Sequence, residues 1–146
     1  MDAIAGLNHW LDQIALQLEP AQRRELMRRL AQGLRVRMRD RIRQQRDPDG
    51  SRFIPRKRDQ IGNIKRQGAM FKQLVGRIKT DYSADHAAVG FGGRDGFIAR
   101  IHQEGRTVRP YKTAQPTRYP RRELAGFSDD DKRWAQQQIF EFLVSK

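Results

Sequence analysis

Ile101-His102-Gln103-Glu104-Gly105 and then Tyr119-Pro120-Arg121-Arg122-Glu123-Leu124-Ala125-Gly126-Phe127-Ser128-Asp129-Asp130-Asp131 set the order of the C-terminal third. The first run reads as a short buried segment closed by a glycine. A basic loop or short strand over 106–120 with Pro110, Pro116 and Pro120 follows, and an ordered turn then leads to Ser128, with Asp131 three residues on. That spacing predicts a capping box at the start of a terminal helix, with Asp where Glu is usual. Asp129 and Asp130 suit the positive end of the helix dipole. Ala135, Ile139, Phe142 and Leu143 give this helix an apolar face with Trp134 at its edge. Such an order positions a surface loop against a helix, which suits an assembly device better than an active site.

Upstream, Phe97, Ile98 and Ile101 suit one or two helical turns ending at Gly105. Gly92-Gly93-Arg94-Asp95-Gly96 reads as a loop. Residues 74–80 and 86–91 read as strands joined by 81–85. Asp47-Pro48-Asp49-Gly50 predicts a turn, with Ser51–Pro55 extended after it. Residues 59–72, interrupted by Gly62 and Gly68, carry no firm helix pattern.

From Ala21 to about Gln45 the apolar residues Leu26, Leu30, Leu34, Met38 and Ile42 step by four, which predicts a long amphipathic helix whose stripe drifts around the axis. Arg23, Arg24, Arg28, Arg35, Arg39 and Arg43 lie off the stripe, and Arg29, Arg37 and Arg41 flank it. Before it, Leu7, Trp10, Leu11, Ile14 and Leu18 form the stripe of a first short helix, which Pro20 ends while opening the next. The expected fold is therefore α+β: two N-terminal helices (the second long and Arg-rich), a small antiparallel β-sheet and a C-terminal helix. We expect one domain over 1–146, with a basic loop at 46–72 that is mobile without a partner.

The chain has 146 residues, 37% hydrophobic and 32% charged, with a net charge of +13. Residues 20–80 hold 19 Lys and Arg against 5 acids, so the basicity is concentrated there. A field of that sign attracts DNA or an acidic face on another subunit, and a solvated helix face is equally compatible with it. No run of eighteen apolar residues and no basic-then-apolar N-terminus is present, so neither a membrane span nor a secretory signal is expected. Cysteine is absent, which removes disulfides, thiolate metal sites and Cys nucleophiles and fits cytosolic manufacture.

Catalytic chemistry finds little support. His9, His86 and His102 are far apart, with no second ligand at metal spacing. His102 beside Glu104 suits a structural hydrogen-bonding pair. Gly90-Phe91-Gly92-Gly93 lacks the Lys-Ser/Thr and the helix start of a phosphate loop, and helix capping explains Asp129–Asp131. No enzyme activity, cofactor or metal is expected. The competing reading is a small basic protein that binds DNA non-specifically, with Phe53, Phe71, Tyr82 and Tyr111 interleaved among the cations.

The Arg-rich helix running into Gln44-Gln45-Arg46-Asp47-Pro48-Asp49-Gly50, then Phe53-Ile54-Pro55, then Ile101–Gly105 and Tyr119–Asp131, resembles the phage virion morphogenesis, or tail completion, family of contractile-tailed temperate phages, Mu-like ones included. The resemblance spans essentially the whole chain in one order. Its most specific part is the Pro-Arg, Leu-x-Gly, Ser-x-x-Asp series before the last helix. The family often carries Trp-x-Pro after the Asp-Gly turn, whereas Phe53 and Pro55 stand there here, a mild change.

The resemblance implies a non-enzymatic virion protein, made in the host cytoplasm, that finishes the tail at its head-proximal end and lets it join the head. Related tail-end proteins form rings, often hexamers, with DNA passing through the lumen. The implied partners are copies of itself, the tail tube or sheath protein, head connector or neck proteins, and DNA bound without sequence preference. The loop at 46–58 then offers Arg46, Arg52, Phe53, Arg56, Lys57 and Arg58 as interface candidates. The loop at 106–123 offers Arg109, Tyr111, Arg118, Tyr119, Arg121 and Arg122. Arg35, Arg39 and Arg43 would face DNA or an acidic partner.

Overall fold

A computed structural model describes residues 18–56 and 68–145. The first short helix read from residues 7–18 lies outside them, apart from its last residue, and so do Lys57 and Arg58. Within the described residues the order is α1 (Pro20–Arg43), a 3-10 turn (Leu74–Arg77), β1 (Lys79–Tyr82), β2 (Ala87–Gly90), α2 (Gly93–Glu104), β3 (Thr107–Val108), β4 (Thr117–Arg118) and α3 (Asp129–Val144). The architecture is α+β.

Helix α1 starts where proline geometry permits. Pro20 occupies its first turn, and the Glu19 N–H donates to Gln22 Oε1 at 3.1 Å. All five stripe residues are buried, and Met27 and Ala31 widen the face. The helix is long enough to serve two apolar clusters. Its N-terminal half packs Leu26, Met27 and Leu30 with Leu18 and with Ala135 and Ile139 of α3. Its C-terminal half packs Met38 and Ile42 with Phe53, Leu74, Ile78, Ala99 and Leu124. Each fully buried Leu or Ile contributes about 1.5–3 kcal/mol.

β1 and β2 form an antiparallel hairpin with Lys79 opposite Gly90 and Tyr82 opposite Ala87. The first strand is shorter than the sequence suggests. Residues 74–77 form a 3-10 turn, because the Val75 N–H is taken by the Phe71 carbonyl at 3.2 Å and Gly76 adds no side chain to a sheet. A second correction concerns Gly92–Gly96, which is not a loop but the opening turn of α2. The Gly96 N–H donates to the Gly92 carbonyl, and a Cβ at Gly96 would stand 2.9 Å from the Phe91 carbonyl oxygen. The glycine there permits close backbone approach and does not break the helix. Gly105 ends α2 in the left-handed region (φ 65°), and the Arg106 N–H returns to the Ile101 carbonyl at 2.9 Å. The basic stretch beyond contains a second small antiparallel pair, with Thr107 opposite Arg118 and Val108 opposite Thr117.

The capping box of α3 is present. Ser128 Oγ accepts from the Asp131 N–H and Asp131 Oδ2 from the Ser128 N–H, each at 3.0 Å. Asp131 also reaches Arg37 Nε at 2.7 Å, which ties the start of α3 to α1. No helix among the described residues is long and apolar enough to cross a membrane.

Candidate assembly surface

Arg41 sits beside Ile42 on the buried flank of α1 and is 9% exposed. Burial lowers the pKa of its guanidinium against the pull of Asp131, Asp47 and Glu123. The fork is matched instead by backbone oxygens. Nη1 donates to the carbonyls of Arg46 at 2.8 Å and Glu123 at 2.9 Å, and Nη2 to that of Leu124 at 2.6 Å. Two loops more than seventy positions apart are thereby fastened to one side chain. Asp47 adds a second tie, accepting the Glu123 N–H at 2.8 Å.

Two glutamines act in the same way. Gln45, held at φ 59°, donates to the Met70 carbonyl at 3.0 Å and accepts the Met70 N–H at 2.9 Å. Gln103 makes the equivalent pair with Ala125, both bonds at 2.9 Å. These amides replace the ladder contacts that irregular backbone lacks. The stretches 46–56 and 68–72 are thus held by specific bonds; residues 57–67 lie outside the described residues.

Arg122 completes the seam and corrects a sequence expectation. It is 3% exposed, so it offers no surface contact. Its Nε donates to the Ile54 carbonyl at 2.8 Å, and its N–H to the His102 carbonyl at 2.8 Å. Phe53, also expected at an interface, is 4% exposed and stacks edge-on against Phe71 at 5.7 Å. His102 lies between the rings of Phe71 (4.7 Å) and Tyr119 (5.1 Å). Burial, helped by the Arg122 charge, lowers its pKa to about 4. The ring is therefore neutral near pH 7, and Nδ1 accepts from Arg122 Nη1 at 3.4 Å. The expected pairing of His102 with Glu104 is replaced by this one, and Glu104 instead pairs with Arg106.

The remaining candidates divide clearly. Arg43, Arg52, Arg109, Tyr111, Arg118 and Arg121 are exposed, Tyr111 at 68%. Ile54 is exposed beside them in sequence at 49%, an apolar contributor that charge-led reasoning passed over. Tyr119 is half-buried against His102. Arg46 and Arg56 are half-buried and donate to the Gly50 and Gly68 carbonyls, at 2.7 and 2.8 Å. On α1, Arg35 leans on Gln32 and Arg39 on Asp40.

A Ser–His–Asp contact series does occur: Ser83 Oγ to His86 Nδ1 at 2.8 Å, and His86 Nε2 to Asp81 Oδ2 at 3.0 Å. It lies on the exposed turn between β1 and β2, where Ser83 Oγ also accepts the Asp85 N–H at 3.1 Å. The contacts knot the turn. No group of three or more metal-capable side chains exists among the described residues.

Gln45, Asp47 and Gln103 lie inside the stretches that carry the family resemblance, but nothing in those motifs pointed to their grip or to that of Arg41. A faint signal existed for Arg41 alone, a cation on the flank of an apolar stripe.

Comparison with known proteins identifies the family. The phage virion morphogenesis family matches residues 2–144. The tail completion protein S of Escherichia phage P2 is 32% identical over 133 residues, covering 86% of this chain and 87% of that protein. No solved structure matches. With nearly every residue inside the match and the two chains of like extent, this protein belongs to the phage virion morphogenesis family.

Proposed function

We propose that this chain is a non-enzymatic structural protein of the phage tail that completes its head-proximal end and enables head–tail joining, acting as a ring. Family membership supports the tail role, and the relative in phage P2 bears the name of a tail completion protein. The observation that carries the reading is the seam built on Arg41. It spends buried charge on fixing two surface loops, and it leaves Arg52, Ile54, Arg118 and Arg121 outside. A surface fixed before contact loses less entropy on docking, which is what an assembly protein requires. In the ring, neighbouring copies, the tail tube or sheath protein and the connector would meet these loops, with DNA passing through the lumen.

The DNA-binding alternative draws on the charge of residues 20–80. Much of the α1 charge is already engaged: Arg28 and Arg29 hold Glu25, Arg39 holds Asp40, and Arg37 holds Asp131. That favours assembly over a free phosphate-binding row. Electron microscopy of lysates from a phage carrying a nonsense mutation in this gene tests the proposal. Separate filled heads and unattached tails are expected, and normal infectious particles would reject it. Tight duplex binding with a steep salt dependence would then promote the alternative.

A further inference from the structure

Two hairpins rooted at opposite ends of α1 carry opposite charge. The β1–β2 turn lies beside the first turns of α1, where the Arg24 guanidinium stands 5.0 Å from the centre of the Tyr82 ring. It presents Asp81 and Asp85, whose side chains are 79% and 82% exposed. Asp81 faces the His86 ring at 3.0 Å, and Asp85 pairs with Arg23 at 3.9 Å. Among the exposed carboxylates of the helices, Glu25 pairs with Arg28 and Arg29, Asp129 with Lys132 and Asp130 with Arg133, while Glu141 accepts from the neutral Gln137 amide.

The β3–β4 hairpin is rooted at the other end. Its stem follows Ile101 and His102, and the chain leaving it is gripped by Arg41 through Glu123 and Leu124. Residues 105–122 hold six basic side chains and no acid. The loop between the strands is built rather than loose. The Ala114 N–H donates to the Tyr111 carbonyl at 3.0 Å, and Arg109 Nη1 to the Ala114 carbonyl at 3.1 Å. Ala114 is turned in, while Tyr111 is turned out with Lys112 beside it. A braced loop with an exposed aromatic at its crest is the usual form of an interface anchor.

We infer that in the ring the basic β3–β4 loop of one copy seats against the acidic β1–β2 turn of the next. The occupant is a second copy of this chain. Copies of net charge +13 repel one another over most approaches, and on the β1–β2 turn an incoming basic loop meets two widely exposed carboxylates on one short segment. A contact using two different patches is heterologous, so each copy gives one and receives one, and repetition closes a ring or winds a helix. Face-to-face pairing of like hairpins is opposed by like charge.

This inference rests on the ring reading, and one experiment separates their failures. The chain has no cysteine, so Asp85→Cys with Lys112→Cys introduces a defined pair. Oxidised lysates of producing cells should give a ladder of covalent multimers on a non-reducing gel. In parallel, Asp81→Lys with Asp85→Lys, and separately Lys112→Glu with Arg118→Glu, should each weaken self-association about tenfold or more, and the four changes together should restore it. Rings seen by sedimentation without a ladder, or without restoration, overturn this contact and leave the ring reading intact. Monomers alone at every concentration, and in assembled particles, overturn both.

Discussion

The six-membered ring of Trp134 lies directly over Gly33, so close that a Cβ at position 33 would stand inside the van der Waals radius of Cη2 and Cζ2. The glycine is what lets α3 settle on α1, with the Arg37 guanidinium 5.6 Å from the centre of the same indole. Gly33→Ala should therefore destabilise by roughly 1–3 kcal/mol through overpacking, outweighing the roughly 1 kcal/mol that alanine gains in a helix interior. Urea unfolding of Gly33→Ala, alone and with Trp134→Ala, measures it. A stabilised single variant would refute the contact.

Arg41→Met removes the charge but keeps much of the volume. Three backbone carbonyls lose charged donors worth about 1.5–3 kcal/mol each before relaxation, so a loss of about 3 kcal/mol is expected. Arg43→Ala, exposed two positions on, should stay within about 0.5 kcal/mol. Equal effects of the two changes on the urea midpoint would show that the seam does not form.

His102 gives the fold a specific acid sensitivity. Its folded pKa of about 4 lies below the ordinary 6.5, so the unfolded chain binds the proton first. The stability held by the neutral ring is complete above pH 6.5 and falls away as pH drops from 6.5 towards 4. Allowing for partial solvent screening, the loss is about 2 kcal/mol. Thermal unfolding at pH 7, 6 and 5 should show the slope, and His102→Gln should flatten it in that window. An unchanged slope in the variant would assign the sensitivity to carboxylates.

Arg121 and Arg122 should behave oppositely although they are neighbours. Arg121 is exposed and pairs with Glu123 at 3.1 Å, whereas Arg122 is buried on the Ile54 carbonyl. Arg121→Glu should leave the unfolding midpoint within about 0.5 kcal/mol of the parent while lowering particle yield. Arg122→Glu should cost about 3–5 kcal/mol by burying an unpaired charge. Circular dichroism melts beside particle counts would expose a reversed order.

Ser128→Ala tests the cap of α3 and should cost about 1 kcal/mol. Asp131→Ala should cost more, since that carboxylate serves both the cap and Arg37. Matching losses in urea unfolding would mean that the Arg37 pair contributes nothing.

Periodic features were readable from the sequence. The step-of-four stripe placed α1 and its buried side, Ser128-x-x-Asp131 placed the start of α3, and Gly105 placed the end of α2. Features set by tertiary sterics were not. Gly96 reads as a loop residue until the Phe91 carbonyl beside it is known, and Val75 reads as strand until its N–H is found on Phe71. At the candidate assembly surface, side-chain type misleads in a consistent way. Arg122 and Phe53 sit in basic, Pro-rich context and read as exposed, yet their burial depends on backbone carbonyls and rings contributed by distant residues, which no local pattern encodes.

Arg41 grips main-chain oxygens at 46 and 123, and main-chain oxygens are the same whatever side chain a position carries. The two loops can therefore exchange their outward residues without loosening the grip. Substitution at the rim leaves the gripped oxygens in place, whereas substitution of the hidden arginine removes their donors, so outward chemistry and inner scaffold are separable.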